Sequence, residues 1–209
     1  MAELLTEEEQ VEQLKKWWKE NGLSIVGGVV VGLALVFGWR SWQHHQLERS
    51  AQAGGLYDQV LIAIESKQPE AALRGHDRIR AEHGDTGYAV LAGLQAAKLR
   101  LEAGDAKGAR ELLETVRREA SDPAVRQLAT LRLARVYLDA GELDAARALV
   151  DTAPRELFPS QLAELRGDLA RARGDEAAAR AAYEEALAGR HGGSNHLRFK
   201  LQDLAPSNG

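Results

Sequence analysis

The stretch VYLDAGELDAARALVD, residues 136–151, is one of three related segments in this chain of 209 residues. The other two are LRLEAGDAKGARELLE, residues 99–114, and GDLARARGDEAAARAAYE, residues 167–184. When the segments are aligned on Gly104, Gly141 and Gly174, an acidic residue follows each glycine, with Ala five positions on and Arg six positions on. Spacings of 37 and 33 residues are typical of helix-turn-helix repeats with a period near 34.

The middle repeat fits the tetratricopeptide pattern W-x-x-L-G-x-x-Y followed by A-x-x-x-F. Its matching residues are Thr130, Leu133, Ala134, Tyr137, Ala146 and Val150. An earlier, diverged unit has Lys67 where the turn glycine is expected, 37 residues before Gly104, and Ala72 five positions later. We therefore expect three clear repeats and one diverged repeat within residues 56–190.

The composition of these repeats predicts an all-α fold, because Ala, Leu, Arg and Glu dominate and no alternating strand pattern occurs. Glycine allows a tight turn between paired helices, and a small Ala lets the second helix pack closely on the first. A single repeat cannot bury its apolar faces alone. The expected fold is an α-solenoid of about eight helices, with part of the tail, residues 191–209, capping the last repeat.

The segment WWKENGLSIVGGVVVGLALVFGWRSW, residues 17–42, predicts a transmembrane helix. Nineteen residues without formal charge lie between Glu20 and Arg40. As a helix they extend about 28 Å, close to the thickness of the hydrocarbon layer of a bilayer. All four tryptophans flank this run, where their rings favour the two membrane interfaces: Trp17, Trp18, Trp39 and Trp42.

Two alternatives to a spanning helix are a buried helix of a soluble core and a cleaved signal peptide. A core helix needs no Trp and Lys or Arg collars at both ends. A signal peptide would have a shorter apolar run followed closely by small residues, whereas FGWRSWQHH follows here. We interpret residues 21–39 as an uncleaved signal anchor and residues 40–55 as a juxtamembrane linker or helix.

The distribution of lysines and arginines predicts the orientation of the anchor. Three cations precede the span and two follow it closely: Lys15, Lys16, Lys19, Arg40 and Arg49. This excess favours a cytoplasmic segment 1–20 and translocation of the C-terminal domain. Within the span, Ser24, Gly28 and Gly32 recur every four residues, a small-residue stripe that lets another membrane helix approach closely.

The charge balance and the absence of cysteine exclude several classes of function. After residue 39 the chain has 24 Lys and Arg residues against 25 acidic ones, which removes the main electrostatic argument for nucleic acid as a partner. No cysteine is available for a disulfide, a thiol nucleophile or a zinc thiolate site. No H-E-x-x-H, G-x-S-x-G or phosphate-binding loop motif is present. We expect neither enzymatic activity nor a metal or cofactor site.

A binding surface is the better candidate, and equivalent positions on the first helices of two repeats suggest where it lies. They form an apolar stripe dotted with cations that suits a bound peptide: Leu91, Leu94, Lys98 and Leu101 in one repeat, with Leu128, Leu131, Arg135 and Leu138 in the next. The alternative is that these leucines pack between repeats or under another segment of the chain. We favour an open surface for Leu94 and Leu131, because they share their face with Lys98 and Arg135, whose charges resist burial.

The opening LLTEEEQVEQLKKWWKENG and the closing KLQDLA, together with one span and degenerate repeats, resemble the YfgM family of ancillary subunits of the bacterial SecYEG translocon. The resemblance covers essentially the whole chain. It implies a single-pass protein of the bacterial inner membrane with a periplasmic repeat domain. It also implies association with SecYEG and with the membrane-anchored chaperone PpiD, and assistance to newly translocated polypeptides.

The first functional hypothesis is therefore a non-enzymatic interaction subunit that links the SecYEG translocon to periplasmic chaperones. Its expected partners are the translocon, a PpiD-like chaperone, emerging secreted polypeptides and membrane lipid. The alternative is a membrane-anchored scaffold or regulator of envelope signalling or assembly that uses the same repeat domain.

Overall fold

The computed structural model describes residues 7–189 and 195–204, and within these ranges the regular structure consists of nine α-helices. In chain order they are α1 (Glu7–Glu65), α2 (Pro69–His83), α3 (Gly87–Glu102), α4 (Ala106–Glu119), α5 (Pro123–Asp139), α6 (Leu143–Asp151), α7 (Pro159–Ala172), α8 (Glu176–Ala188) and α9 (Asn195–Asp203). The prediction of an all-α fold is confirmed. The first six residues of the predicted cytoplasmic segment and parts of the predicted tail lie outside the described residues.

The chain forms two compact units, Met1–Ala51 and Gln52–Gly209. In the first unit, α1 is long and apolar enough to cross a membrane, and only 6% of its most apolar window is buried. Every residue from 23 to 39 is exposed. A core helix of a soluble protein would be covered by neighbouring elements, so this exposure contradicts the core-helix alternative.

In the second unit, four helix pairs are closed by turns of one kind: the C-terminal part of α1 with α2, α3 with α4, α5 with α6, and α7 with α8. Each turn has a residue in the left-handed region: Lys67 (φ 56°), Gly104 (φ 81°), Gly141 (φ 76°) and Gly174 (φ 78°). The next residue donates its backbone N–H to the carbonyl five positions before it: Gln68 to Ala63 (2.8 Å), Asp105 to Arg100 (2.8 Å), Glu142 to Tyr137 (2.9 Å) and Asp175 to Ala170 (3.0 Å). This is the bond of a Schellman cap, which satisfies a free carbonyl at the helix end.

The alanine that follows each turn by five positions is buried. The four residues are Ala72, Ala109, Ala146 and Ala179. A larger side chain there would hold the second helix of each pair away from the first, so the small residue sets the close packing of α2, α4, α6 and α8.

The core of the second unit is a chain of apolar clusters between successive repeats. One cluster joins α3, α4 and α5 around Leu113 and Leu133, and the next joins α5, α6 and α7 around Val150 and Leu162. At the C-terminal end, Leu197 of α9 and Leu204, which directly follows α9, pack onto Tyr183. The short helix α9 therefore covers the apolar face that α7 and α8 would otherwise expose to water.

Candidate binding surface

The four tryptophans are half exposed and occur in pairs. The indole ring of Trp18 lies over Gly22, with ring atoms 3.2 Å from where a Cβ would be at that glycine. The rings of Trp39 and Trp42 have centroids 5.1 Å apart. Both pairs present ring surface to the surroundings of α1. Their assignment as membrane-interface anchors remains a prediction.

The small-residue stripe of the span is also open. Ser24 is exposed, and a Cβ added at Gly28 or Gly32 would meet nothing within 4 Å among the described residues. Packing within the described chain therefore does not require these glycines to be small. A second membrane helix against this face would explain the stripe, and that contact remains a prediction.

The expectation that Leu94 and Leu131 line an open surface is wrong. Leu94 is 4% exposed and packs with Leu113 of α4, whereas Leu131 is 7% exposed and packs with Val150 of α6. Both leucines therefore belong to the core, where they pack between repeats. Lys98 and Arg135 are exposed, so they can lie on the same helical face as the buried leucines while their charges remain in water.

The other predicted leucines differ in exposure. Three are partly buried and pack against the two central clusters: Leu91, Leu128 and Leu138. Leu101 is 39% exposed, unusual for a large apolar side chain in the repeats. It lies in a groove of about 270 Å³ between α3, α4 and α5.

This α3–α5 groove combines an apolar floor with a cationic rim. Its lining consists of Ala97, Lys98, Leu101, Leu113, Arg132, Arg135, Val136 and Asp139. Three of the eight residues predicted for the binding surface are therefore brought together here: Lys98, Leu101 and Arg135. The sequence analysis did not predict Arg132 or Asp139, because it considered only leucines and cations that recur in both repeats, and the position of Arg132 is Gln95 in the earlier repeat. Arg132 stands one helical turn before Arg135, a spacing that places both on one side of α5.

The cations of the α3–α5 groove have few negative partners. Lys98 pairs with Glu102 at 3.7 Å across an exposed surface. Arg132 donates from a guanidinium nitrogen to the backbone carbonyl of Leu94 at 3.4 Å, and burial lowers its pKa. Among the described residues, no carboxylate pairs with Arg132 or Arg135 within 4.0 Å. The groove is thus an electropositive, partly apolar surface.

A second charged cluster lies between α7 and α9, and its charges are paired. The Lys200 Nζ donates to Glu164 Oε1 at 2.9 Å and to Asp168 Oδ1 at 2.6 Å. A His196 ring nitrogen lies 3.1 Å from Glu164 Oε1, and the Tyr183 hydroxyl donates to Asp168 at 2.8 Å. These residues form the α7–α9 charge cluster.

The pKa values in this cluster follow from burial and pairing. Burial by itself raises the pKa of Glu164, but hydrogen bonds from Lys200 and His196 outweigh it and leave the pKa below its ordinary value. Burial and the bond to Asp168 together raise the pKa of Tyr183, which keeps this phenol neutral. The cluster is a stabilised set of ion pairs that holds α9.

A further groove lies on the surface of the repeat unit. This groove of about 450 Å³ between α2 and α4 carries both signs of charge, including Asp77, Arg100 and Glu111. Within residues 7–189 and 195–204, no group of three or more His, Asp or Glu side chains is arranged to hold a metal ion.

Comparison with known proteins agrees with the repeat architecture. The family described as a tetratricopeptide repeat-like domain matches residues 15–206. A Haemophilus influenzae protein named ancillary SecYEG translocon subunit is 35% identical, covering 89% of this chain and 91% of the relative. An Escherichia coli protein of the same name is 31% identical, covering 85% of each chain. The chain therefore belongs to the tetratricopeptide repeat-like family that contains these ancillary SecYEG translocon subunits.

Proposed function

We propose that this protein is a membrane-anchored, non-enzymatic interaction subunit of the SecYEG translocon, with its repeat domain in the periplasm. The observation that carries the proposal is the extent of the similarity. Relatives with that name match 85% and 89% of this chain, so the similarity extends beyond the repeats that many scaffold proteins have in common.

The two units have separate tasks in this proposal. The apolar first unit keeps the protein in the inner membrane, and its open small-residue face at Gly28 and Gly32 suits contact with a membrane helix of the translocon. The repeat unit then presents its surface to a PpiD-like chaperone or to emerging secreted polypeptides. In this way the subunit links protein translocation to periplasmic chaperones.

The experiment is to identify the membrane complex that retains the full-length protein after mild detergent extraction. We expect the SecYEG subunits to be recovered with it in fixed proportion. The matched control replaces Gly28 and Gly32 by Leu, which preserves an apolar span but removes the close-approach face.

Two results would count against the proposal. Recovery of a different complex, without SecYEG, would support the alternative of a scaffold for envelope signalling or assembly. Equal recovery of SecYEG with the Gly28→Leu, Gly32→Leu protein would show that this face is not the contact, and association would then depend on the repeat unit.

A further inference from the structure

The α3–α5 groove has a structural counterpart elsewhere in the same molecule, between α7 and α9. The helix α9 occupies the place that α5 has in the earlier repeat. Three apolar residues of α5 have spacings of four and three: Ala129, Leu133 and Val136. They correspond to Leu197 and Leu201 of α9 and to Leu204, which directly follows α9. They pack onto equivalent residues of the second helices: Leu113 and Val116 in one case, Tyr183 and Ala186 in the other.

The two sites have a cation at the same position, but the acidic residues of one site have no acidic counterpart at the other. Arg132 of α5 is equivalent to Lys200 of α9. In the α7–α9 charge cluster, Lys200 binds the carboxylates of Glu164 and Asp168. The equivalent residues on α3 are Leu94 and Lys98. Both acids are therefore replaced at the α3–α5 groove, one by an apolar residue and one by a further cation.

The consequence is a site in which Lys98 pairs with Glu102, while no carboxylate of the described residues pairs with Arg132 or Arg135. Three cations line the α3–α5 groove against one acid, Asp139. Arg132 is half buried, and its hydrogen bond goes to a neutral carbonyl. A partly desolvated guanidinium gains more from a carboxylate than an exposed one does, because water competes less for it. In the α7–α9 charge cluster, the cation at this position of the repeat does pair with carboxylates.

We infer that the α3–α5 groove binds a segment of a partner protein that carries an acidic side chain next to apolar ones. The carboxylate pairs with Arg132 and Arg135, as Glu164 and Asp168 pair with Lys200 in the counterpart. The apolar side chains cover exposed Leu101 and the floor formed by Ala97 and Val136. This inference rests on the proposed function, because it assumes an interaction subunit and specifies the kind of partner that its repeat unit binds.

The apolar part of the groove favours a protein segment over a free anion. A phosphate or a lipid headgroup would pair with the cations but leave Leu101 exposed to water. An amphipathic helix with leucines at spacings of three and four presents apolar and acidic side chains together, which matches helix-in-groove recognition. The proposed partner is therefore an acidic amphipathic segment.

The test measures binding of two synthetic peptides to the full-length protein in detergent micelles by fluorescence anisotropy. Both peptides are amphipathic and leucine-containing, and they differ only in having Glu or Gln beside the leucines. We expect the Glu peptide to bind at least about tenfold more tightly, with an advantage that shrinks as salt is raised. Inorganic phosphate at the same concentration should not displace it.

Two double variants distinguish binding in the groove from a general effect of the protein's net charge. Lys98→Glu with Arg135→Glu should weaken binding of the Glu peptide at least about tenfold, because it reverses the charge of the rim. The matched control, Arg117→Glu with Arg155→Glu, has the same change in net charge at exposed positions outside the groove. It should bind like the wild type. All four positions are exposed, and circular dichroism checks that each variant remains folded.

Equal binding of the Glu and Gln peptides would overturn the inference, as would equal weakening by the groove variant and its control. Recovery of SecYEG with the same variants is measured in parallel. Loss of peptide binding with retention of SecYEG would support the groove as a site for another acidic partner. A wild-type protein that binds the Glu peptide but is not recovered with SecYEG would contradict the proposed function and leave the groove inference standing.

Discussion

Gly167 and Tyr183 illustrate how single residues compensate for each other between repeats. The position of Gly167 is Ala97 and Ala134 in the two preceding repeats, and the position of Tyr183 is Leu113 and Val150. A Cβ added at Gly167 would overlap the Cδ1 and Cε1 atoms of the fully buried Tyr183 ring. The larger side chain on α8 therefore requires the smaller one on α7.

Replacing Gly167 by Ala should destabilise the repeat unit by about 1–3 kcal/mol, because the buried ring of Tyr183 cannot move without disturbing α9. Thermal or urea unfolding measures the change. The control is Gly55→Ala in α1, where an added Cβ meets nothing within 4 Å. There, relief of the entropic penalty of glycine should stabilise the helix by about 0.5–1 kcal/mol. Equal melting of the Gly167→Ala protein and the wild type would refute the steric argument.

At the same scale, the turns were easier to predict than the burial of individual side chains. The position of Lys67 follows from a fixed distance to Gly104, and the structure has this lysine in the left-handed region. The burial of Leu94 does not follow from its own helix, because it depends on the volumes that α4 and α5 bring against it. Periodicity identifies the apolar face of a helix but does not tell which residues at its edge are covered.

At the scale of elements, α9 is held by charge as well as by apolar contact. Leu197 and Leu204 supply buried surface, while Lys200 and His196 bind Glu164 of α7. Glu164 is 7% exposed, so removal of its charge or of its partners leaves polar atoms in a poorly hydrated position. Attachment of this helix should therefore depend on pH.

The direction of that dependence follows from the lowered pKa of Glu164. Because the folded-state pKa lies below the ordinary value of 4.5, the carboxylate stabilises the fold at pH values above about 4.5. The stabilisation is lost as the pH falls through the folded-state pKa. Glu164→Gln should be less stable than the wild type at pH 7, by about 1–3 kcal/mol. The difference should shrink towards pH 3.

Unfolding of both proteins between pH 7 and pH 3, with amide hydrogen exchange in α9, measures this effect. Glu184→Gln provides the control, because Glu184 is an exposed acid of α8 that forms no ion pair among the described residues. It should unfold like the wild type at each pH. A constant difference between Glu164→Gln and the wild type across the pH range would exclude Glu164 as the titrating group.

At the scale of the whole molecule, the sequence predicted the architecture better than the surface. The repeat period and the apolar run each depend on residues close together in the chain, so both were accessible from the sequence. The α3–α5 groove depends on Arg132 and Asp139 of α5 facing Lys98 and Leu101 of α3, and on Leu113 of α4 at its floor. Such a combination depends on how three helices pack against one another. The packing of separate helices cannot be predicted from a local sequence pattern.

The orientation of the chain in the membrane is the property of the whole molecule on which the proposed function depends most. The prediction rests on Lys15, Lys16 and Lys19 before the span against Arg40 and Arg49 after it. A phosphatase reporter that is active only in the periplasm, fused after Gly209, should be active. A fluorescent reporter that matures only in the cytoplasm should be dark at the same position.

Moving the excess of lysines from the N-terminal to the C-terminal side of the span tests whether this excess determines the orientation. Changing the three lysines to Gln while adding three lysines directly after Trp42 should reduce phosphatase activity and give measurable fluorescence, because cations are retained on the cytoplasmic side. A wild-type C-terminus found in the cytoplasm would contradict the link to periplasmic chaperones, since the repeat unit would then face the wrong compartment. The packing of its helices would be unaffected, because the apolar clusters that hold the repeats lie within Gln52–Gly209.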